Sequence, residues 1–104
     1  MLELNKENFE AEVLQAPGIT MVDFWSPKCE PCQALMPEVT ALAEKYDGKI
    51  KFCKVNAIEN RRLALSQKVL GLPVIAFYKG GEKIKELTGE VTGDKVEEAI
   101  KEVT

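Results

Sequence analysis

The sequence predicts an α/β fold, a central mixed β-sheet flanked by helices on both faces, in the order βαβαβαββα. Three observations carry that reading. Ile19–Trp25 is nearly all apolar, the pattern of a strand covered on both faces. From Gln33 onward the pattern changes, and Leu35, Val39, Leu42 and Tyr46 recur at helical spacing. Further on, Val74–Tyr78 and Lys83–Leu87 flank Gly80-Gly81, a hairpin turn that tolerates positive φ. Strands that alternate with helices and then end in a hairpin imply parallel central strands and an antiparallel edge.

Taken in order, Leu2–Leu4 reads as a short strand, and Asn5 as the cap of a helix that turns Phe9, Val13 and Leu14 inward. Ala16-Pro17-Gly18 breaks that helix before the Ile19 strand. In the next helix Pro37 removes one backbone hydrogen bond and should introduce a kink, and Gly48 marks the stop. Ile50–Val55 is the next strand, with Ile50 and Phe52 on one face and Cys53 and Val55 on the other. Residues from about 59 to 68 read as helical despite weak apolar spacing. Thr92 can cap a final helix with Val96, Ile100 and Val103 along one side.

Composition narrows the function classes. A chain of 104 residues fits one domain, spanning 1–104, with room for a real core but not for two. Hydrophobic residues at 45% and charged residues at 30% are an ordinary globular balance. A net charge of −3 with no basic run argues against nucleic acid as a partner. The start Met1-Leu2-Glu3-Leu4 has neither a basic n-region nor a long apolar stretch, and no apolar run approaches membrane-spanning length. Three cysteines do not make a secreted disulfide scaffold, so a cytoplasmic protein with a working CxxC is the expectation. With no histidine in the chain, Cys-His proteases, haem attachment and His-based zinc sites are excluded. The three cysteines do not suggest a metal site. Nor is there a phosphate loop or dinucleotide fingerprint, so no cofactor is expected on this chain.

The chemistry sits where the strand pattern gives way to the helix pattern, at Cys29-Glu30-Pro31-Cys32. If Cys29 is the N-cap, Cys32 falls at N3 and its amide can point back at the Cys29 sulfur. That amide, the other unpaired N–H groups of the first turn and the helix dipole all favour a thiolate. Pro31 lies in the first turn, where its missing N–H has no partner to lose. Cys29 is then the exposed nucleophile, with Cys32 one turn behind to resolve it.

Asp23-Phe24-Trp25, Cys29-Glu30-Pro31-Cys32, Pro37, Lys54, Gly71-Leu72-Pro73, Gly80 and Gly89 together resemble the thioredoxin pattern, without gaps between them and over essentially the whole chain. Trp25-Ser26-Pro27-Lys28 before Cys29, with the Asp23 strand, fits thioredoxin better than glutaredoxin. The resemblance implies the thioredoxin fold and a thiol–disulfide oxidoreductase, a protein disulfide reductase and electron carrier. It further implies that Pro73 is cis and faces the cysteines, and that the Leu72 backbone pairs with a bound substrate peptide. Leu72, Pro73, Val74 and Gly89 would frame a shallow docking surface, which is also how a plain buried turn looks. A disulfide isomerase or oxidase of the same fold and a non-catalytic binding subunit are the competing readings.

An aspartate inside an apolar strand is costly if charged and unpaired. The family supports Asp23 as a buried carboxyl of raised pKa that exchanges a proton with Cys32, with Lys54 as its partner. A structural salt bridge to Lys54, or a solvated strand end, is the plainer alternative. Trp25 is read as packing beside the site, and Cys53 as a buried inert thiol. Two positions depart from the common family motif, which has Trp before the first cysteine and Gly after it. Here they are Lys28 and Glu30. Lys28 favours a Cys29 thiolate and Glu30 opposes it, while Glu30 suits the helix dipole. This CEPC-type motif resembles thioredoxins of amino-acid-fermenting anaerobes, whose electron acceptor can be a glycine-reductase-type system. The expected partners are a thioredoxin reductase-type protein and disulfide-containing targets, and the expected state is a monomer.

Overall fold

The computed structural model describes all residues, Met1–Thr104. Its strands are β1 (Leu2–Leu4), β2 (Ile19–Trp25), β3 (Lys51–Asn56), β4 (Val74–Lys79) and β5 (Glu82–Leu87). Its helices are α1 (Glu30–Lys45), α2 (Arg61–Ser66) and α3 (Gly93–Val103), with a π-helical turn at Glu10–Leu14. The sheet order is β1-β3-β2-β4-β5. β3 runs parallel to both β1 and β2, whereas β4 lies antiparallel to β2 and to β5. The parallel character is therefore confined to one half of the sheet, and the central strand β2 is where direction changes.

Side-chain alternation along each strand divides the core in two. Val22, Phe24, Cys53, Val55, Ala76 and Tyr78 pack on one face with Phe9 and Val13 of the N-terminal segment and Ala64 of α2. Met21, Phe52, Ile75 and Phe77 pack on the other with Leu35, Val39 and Leu42 of α1 and Val96 and Ile100 of α3. The sheet is thus covered on both faces, as the apolar run of β2 requires.

Local signals explain most element boundaries. Thr92 Oγ1 accepts from the Lys95 amide at 3.2 Å and opens α3. Gly80 and Gly81 have φ of +62° and +82°, the doubly left-handed turn that suits a two-residue hairpin. The hairpin carries a register irregularity at Phe77/Tyr78 that local pattern does not announce.

The segment after β1 differs from the expected regular helix. Asn5 does cap, its Oδ1 accepting from Glu7 and Asn8 amides at 2.9 and 3.1 Å. The chain then winds as turns into a π-helical stretch closed by a Gln15 N–H to Glu10 C=O bond of 2.9 Å. A cap satisfies the first amides whatever ring size follows, so it marks a start without choosing the winding. Pro37 lies inside α1, which is continuous from Glu30 to Lys45, so the Gln33 carbonyl lacks its i+4 donor there. No helix is long and apolar enough to cross a membrane.

Candidate active site

The site is built where β2 ends. Ser26, 3% exposed, anchors the turn that follows. Its Oγ accepts from the Lys28 amide at 3.0 Å, and its carbonyl accepts from the Cys29 amide at 3.1 Å and from Gln33 Nε2 at 3.3 Å. The hydroxyl-to-amide turn is the kind serine makes readily, and it delivers Cys29 to the head of α1. Neither Ser26 nor Gln33 was singled out by sequence reasoning. The Ser-Pro step was the available signal for the first, and nothing local marked the second.

Cys29 is the N-cap of α1, and Cys32 sits at N3 with Pro31 between. The Cys32 N–H donates to Cys29 Sγ at 3.3 Å. A disulfide joins Cys29 and Cys32. The two cysteines differ in access: Cys29 is half-buried, whereas Cys32 is 1% exposed. Glu30 and Pro31 are exposed beside them, as is Lys28. A reduced Cys29 would face the positive end of the helix dipole with a backbone donor in place, the surroundings that favour a thiolate.

Asp23 stands on β2 opposite Lys54 of β3 and Ile75 of β4. It alternates with Val22 and Phe24, so it shares the sheet face of Met21, the face that α1 covers with Cys32 buried at its first turn. The carboxyl is 1% exposed, and neither oxygen has a hydrogen-bond partner. Burial pushes its pKa up from 3.8 to about 7, and the positive charge of Lys54 pulls only partly back. The alternative of a structural Asp23–Lys54 salt bridge is not what forms, since the ion pairs of the chain lie elsewhere. The Lys54 ammonium instead lies over the Trp25 ring, 5.6 Å from its centroid. Trp25 is half-buried, its Nε1 enclosed without an acceptor, and its carbonyl accepts from Ala57 at 2.8 Å. A carboxyl titrating near neutrality on the sheet face that α1 covers can take up and release a proton at physiological pH.

The loop before β4 carries the residues expected to frame a docking surface. The Leu72–Pro73 peptide is cis, Leu72 is half-buried and Pro73 is buried. Gly89 is exposed with φ of +75°. Val74 differs from the docking-surface expectation. It is 3% exposed and packs with Phe9, Val13 and Tyr78, so its side chain serves the core. Strand alternation beginning at Val74 sends that residue to the face away from α1. Cys53 is fully buried between Leu2 of β1 and Val22 of β2, and burial raises its thiol pKa to about 11.

Comparison with known proteins bears directly on this arrangement. The family model described as Thioredoxin matches residues 1–102. The chain belongs to the thioredoxin family. It is 51% identical over 102 residues to the thioredoxin of Acetoanaerobium sticklandii, covering 97% of each protein. It is 54% identical over 88 residues to that of Peptoclostridium acidaminophilum, covering 85% of this chain and 80% of the relative. Thioredoxin 1 of Nostoc sp. is 37% identical over 89 residues, 86% of this chain and 83% of the relative. With the Cys29–Cys32 pair, this makes the protein a thiol–disulfide oxidoreductase of a family that reduces protein disulfides by dithiol exchange. Thioredoxins act on disulfide-bearing targets and are themselves reduced by a thioredoxin reductase.

Proposed function

We propose the following division of labour within this protein disulfide reductase, a single domain acting as a cytoplasmic monomer. The Cys29 thiolate attacks a target disulfide, forming a mixed disulfide and releasing one target thiolate. Asp23 takes the proton from the Cys32 thiol. The Cys32 thiolate then attacks Cys29 Sγ, which expels the second target thiolate and leaves Cys29–Cys32 oxidised. Two electrons pass to the target, and a reductase returns the chain to the dithiol. Lys54 and Trp25 shape the field around Asp23, Glu30 and Pro31 set the helix entry, and the Leu72–Pro73 backbone with Gly89 seats the target peptide. The observation that carries this reading is the asymmetry of the site, an accessible Cys29 before a buried Cys32, with a partnerless Asp23 on the sheet face that α1 covers.

The physiological acceptor we propose is a glycine-reductase-type system. The CEPC-type motif and the high identity to thioredoxins from two anaerobic clostridia support it. An equilibrium with a thiol buffer tests the direction of flow. A potential near about −270 mV, the reference value for thioredoxin, fits a reductant, and one near about −180 to −120 mV assigns an isomerase or oxidase role. Cys32→Ser should accumulate a mixed disulfide through Cys29, visible by mass spectrometry. Absence of that adduct, with full disulfide reduction retained, would remove Cys32 from the resolving role.

A further inference from the structure

Leu70 is 87% exposed and Leu65 is 60% exposed, the two largest exposures among the big apolar side chains of the chain. One exposed leucine needs no explanation. These two rim a single groove of about 340 Å³, together with Ala57, Ile58, Arg61 and Leu72. Leu72 directly precedes Pro73, so the groove prolongs the face on which target contacts were placed above. Its rim leucines stand in water, which suits a protein segment laid across the surface better than an enclosed small molecule.

Charge selects the kind of segment. Arg61 and Arg62 are the only arginines in the chain. Neither takes part in any of its ion pairs. α2, which begins at Arg61, carries no acidic residue. Arg61 stands between the groove and an adjoining depression, where Glu7 and Glu59 are outnumbered by Lys6, Arg61 and Arg62. A chain of net charge −3 thus turns locally positive beside its most exposed aliphatic surface. A free guanidinium offers a planar fork of donors matched to a carboxylate.

We propose that this groove docks a segment of the target protein that carries an aliphatic side chain and a neighbouring carboxylate. The aliphatic group covers Leu65 and Leu70, and the carboxylate meets Arg61. The inference rests on the reductase reading above and adds the residues that choose among targets. Electrostatic matching of this kind acts mainly on encounter rate and partner discrimination.

The test uses the dithiol form of the full chain and pairs of synthetic peptide disulfides. Each pair is identical except for a Leu-Glu or a Leu-Lys step, scanned from about two to about six residues from the cysteine, a span an extended segment can bridge. Second-order reduction rates are compared with those for the neutral disulfide of 2-mercaptoethanol. At the best position the Leu-Glu peptide should react about fivefold faster than the Leu-Lys peptide, the scale of one exposed ion pair. Arg61→Glu should invert that preference, and Leu70→Ser should slow both peptides. The small disulfide should be unaffected by either substitution. Equal rates for both peptides at every position, unchanged in Arg61→Glu, would overturn the groove and leave the reductase reading standing. Failure to reduce any disulfide, the small one included, would remove both. Self-association that Leu70→Ser abolishes would assign the groove to a second copy of the chain and refute the proposal.

Discussion

Replacing Asp23 with asparagine separates the electrostatic penalty of this residue from its shape. In the oxidised protein the Asp23 carboxyl titrates at about 7, against 3.8 for the unperturbed group, because it is buried without a hydrogen-bond partner. The neutral acid is therefore the form that folding favours. Between about pH 3.8 and about pH 7 the folded protein keeps the proton and the unfolded chain has released it, so stability falls as pH rises through that window and levels above it. The span from 3.8 to about 7, at about 1.4 kcal/mol per pH unit, amounts to about 4 kcal/mol. Asparagine cannot ionise and escapes this cost. Urea unfolding of oxidised wild type and Asp23→Asn should show the variant gaining about 4 kcal/mol relative to wild type between about pH 4 and about pH 8, with about 2.4 kcal/mol of it reached by about pH 6. Any pH-independent cost of the amide cancels in that comparison. A stability difference constant to within about 1 kcal/mol across the range would refute the buried, partnerless carboxyl. The same variant should slow disulfide exchange while remaining folded, and an unchanged exchange rate would remove Asp23 from proton transfer.

Two further outcomes follow from packing. Cys53, fully buried with a thiol pKa of about 11, should resist alkylation in the native reduced protein under conditions that label Cys29 within minutes. Rapid labelling of Cys53, read by peptide mapping, would contradict its burial. Gly93→Ala should destabilise, although a helical Gly→Ala change ordinarily gains about 0.5–1 kcal/mol. The added Cβ would lie 2.7 Å from Glu38 Oε1 and 3.0 Å from Glu38 Cβ, so a net loss of about 1 kcal/mol is expected in the urea midpoint. A raised midpoint would show that α1 yields freely at Glu38.

The reactive centre was legible because its signals are local. The change from strand to helix pattern between Trp25 and Gln33, with two cysteines at the change, places Cys29 at a cap without knowledge of the rest of the fold. Gly80-Gly81 and Thr92 are equally local, and both act where the sequence puts them. What stayed hidden depends on partners distant in sequence. No periodicity says that β4 approaches β2 from the antiparallel side, or that Val74 faces the N-terminal segment instead of a substrate. Nothing in the sequence distinguishes Leu65 and Leu70 from leucines of the core, and only the folded chain leaves them outside. Ser26 was missed for a different reason: its partners Lys28, Cys29 and Gln33 are near in sequence, but no pattern shows that three hydrogen bonds converge on it.

The order β1-β3-β2-β4-β5 also governs when this protein can begin to fold on the ribosome. β1 finds its sole neighbour in β3, with Leu2 opposite Cys53, and both neighbours of β2 lie downstream of it. A nascent chain that has emerged only as far as Gly48 holds two strands and the whole CxxC helix, yet has no sheet pair to form. The reactive cysteines therefore reach the cell before the scaffold that buries Cys32. The sheet face against which α1 packs cannot begin to form until β3 arrives to bridge the first two strands, and it is completed only by β4.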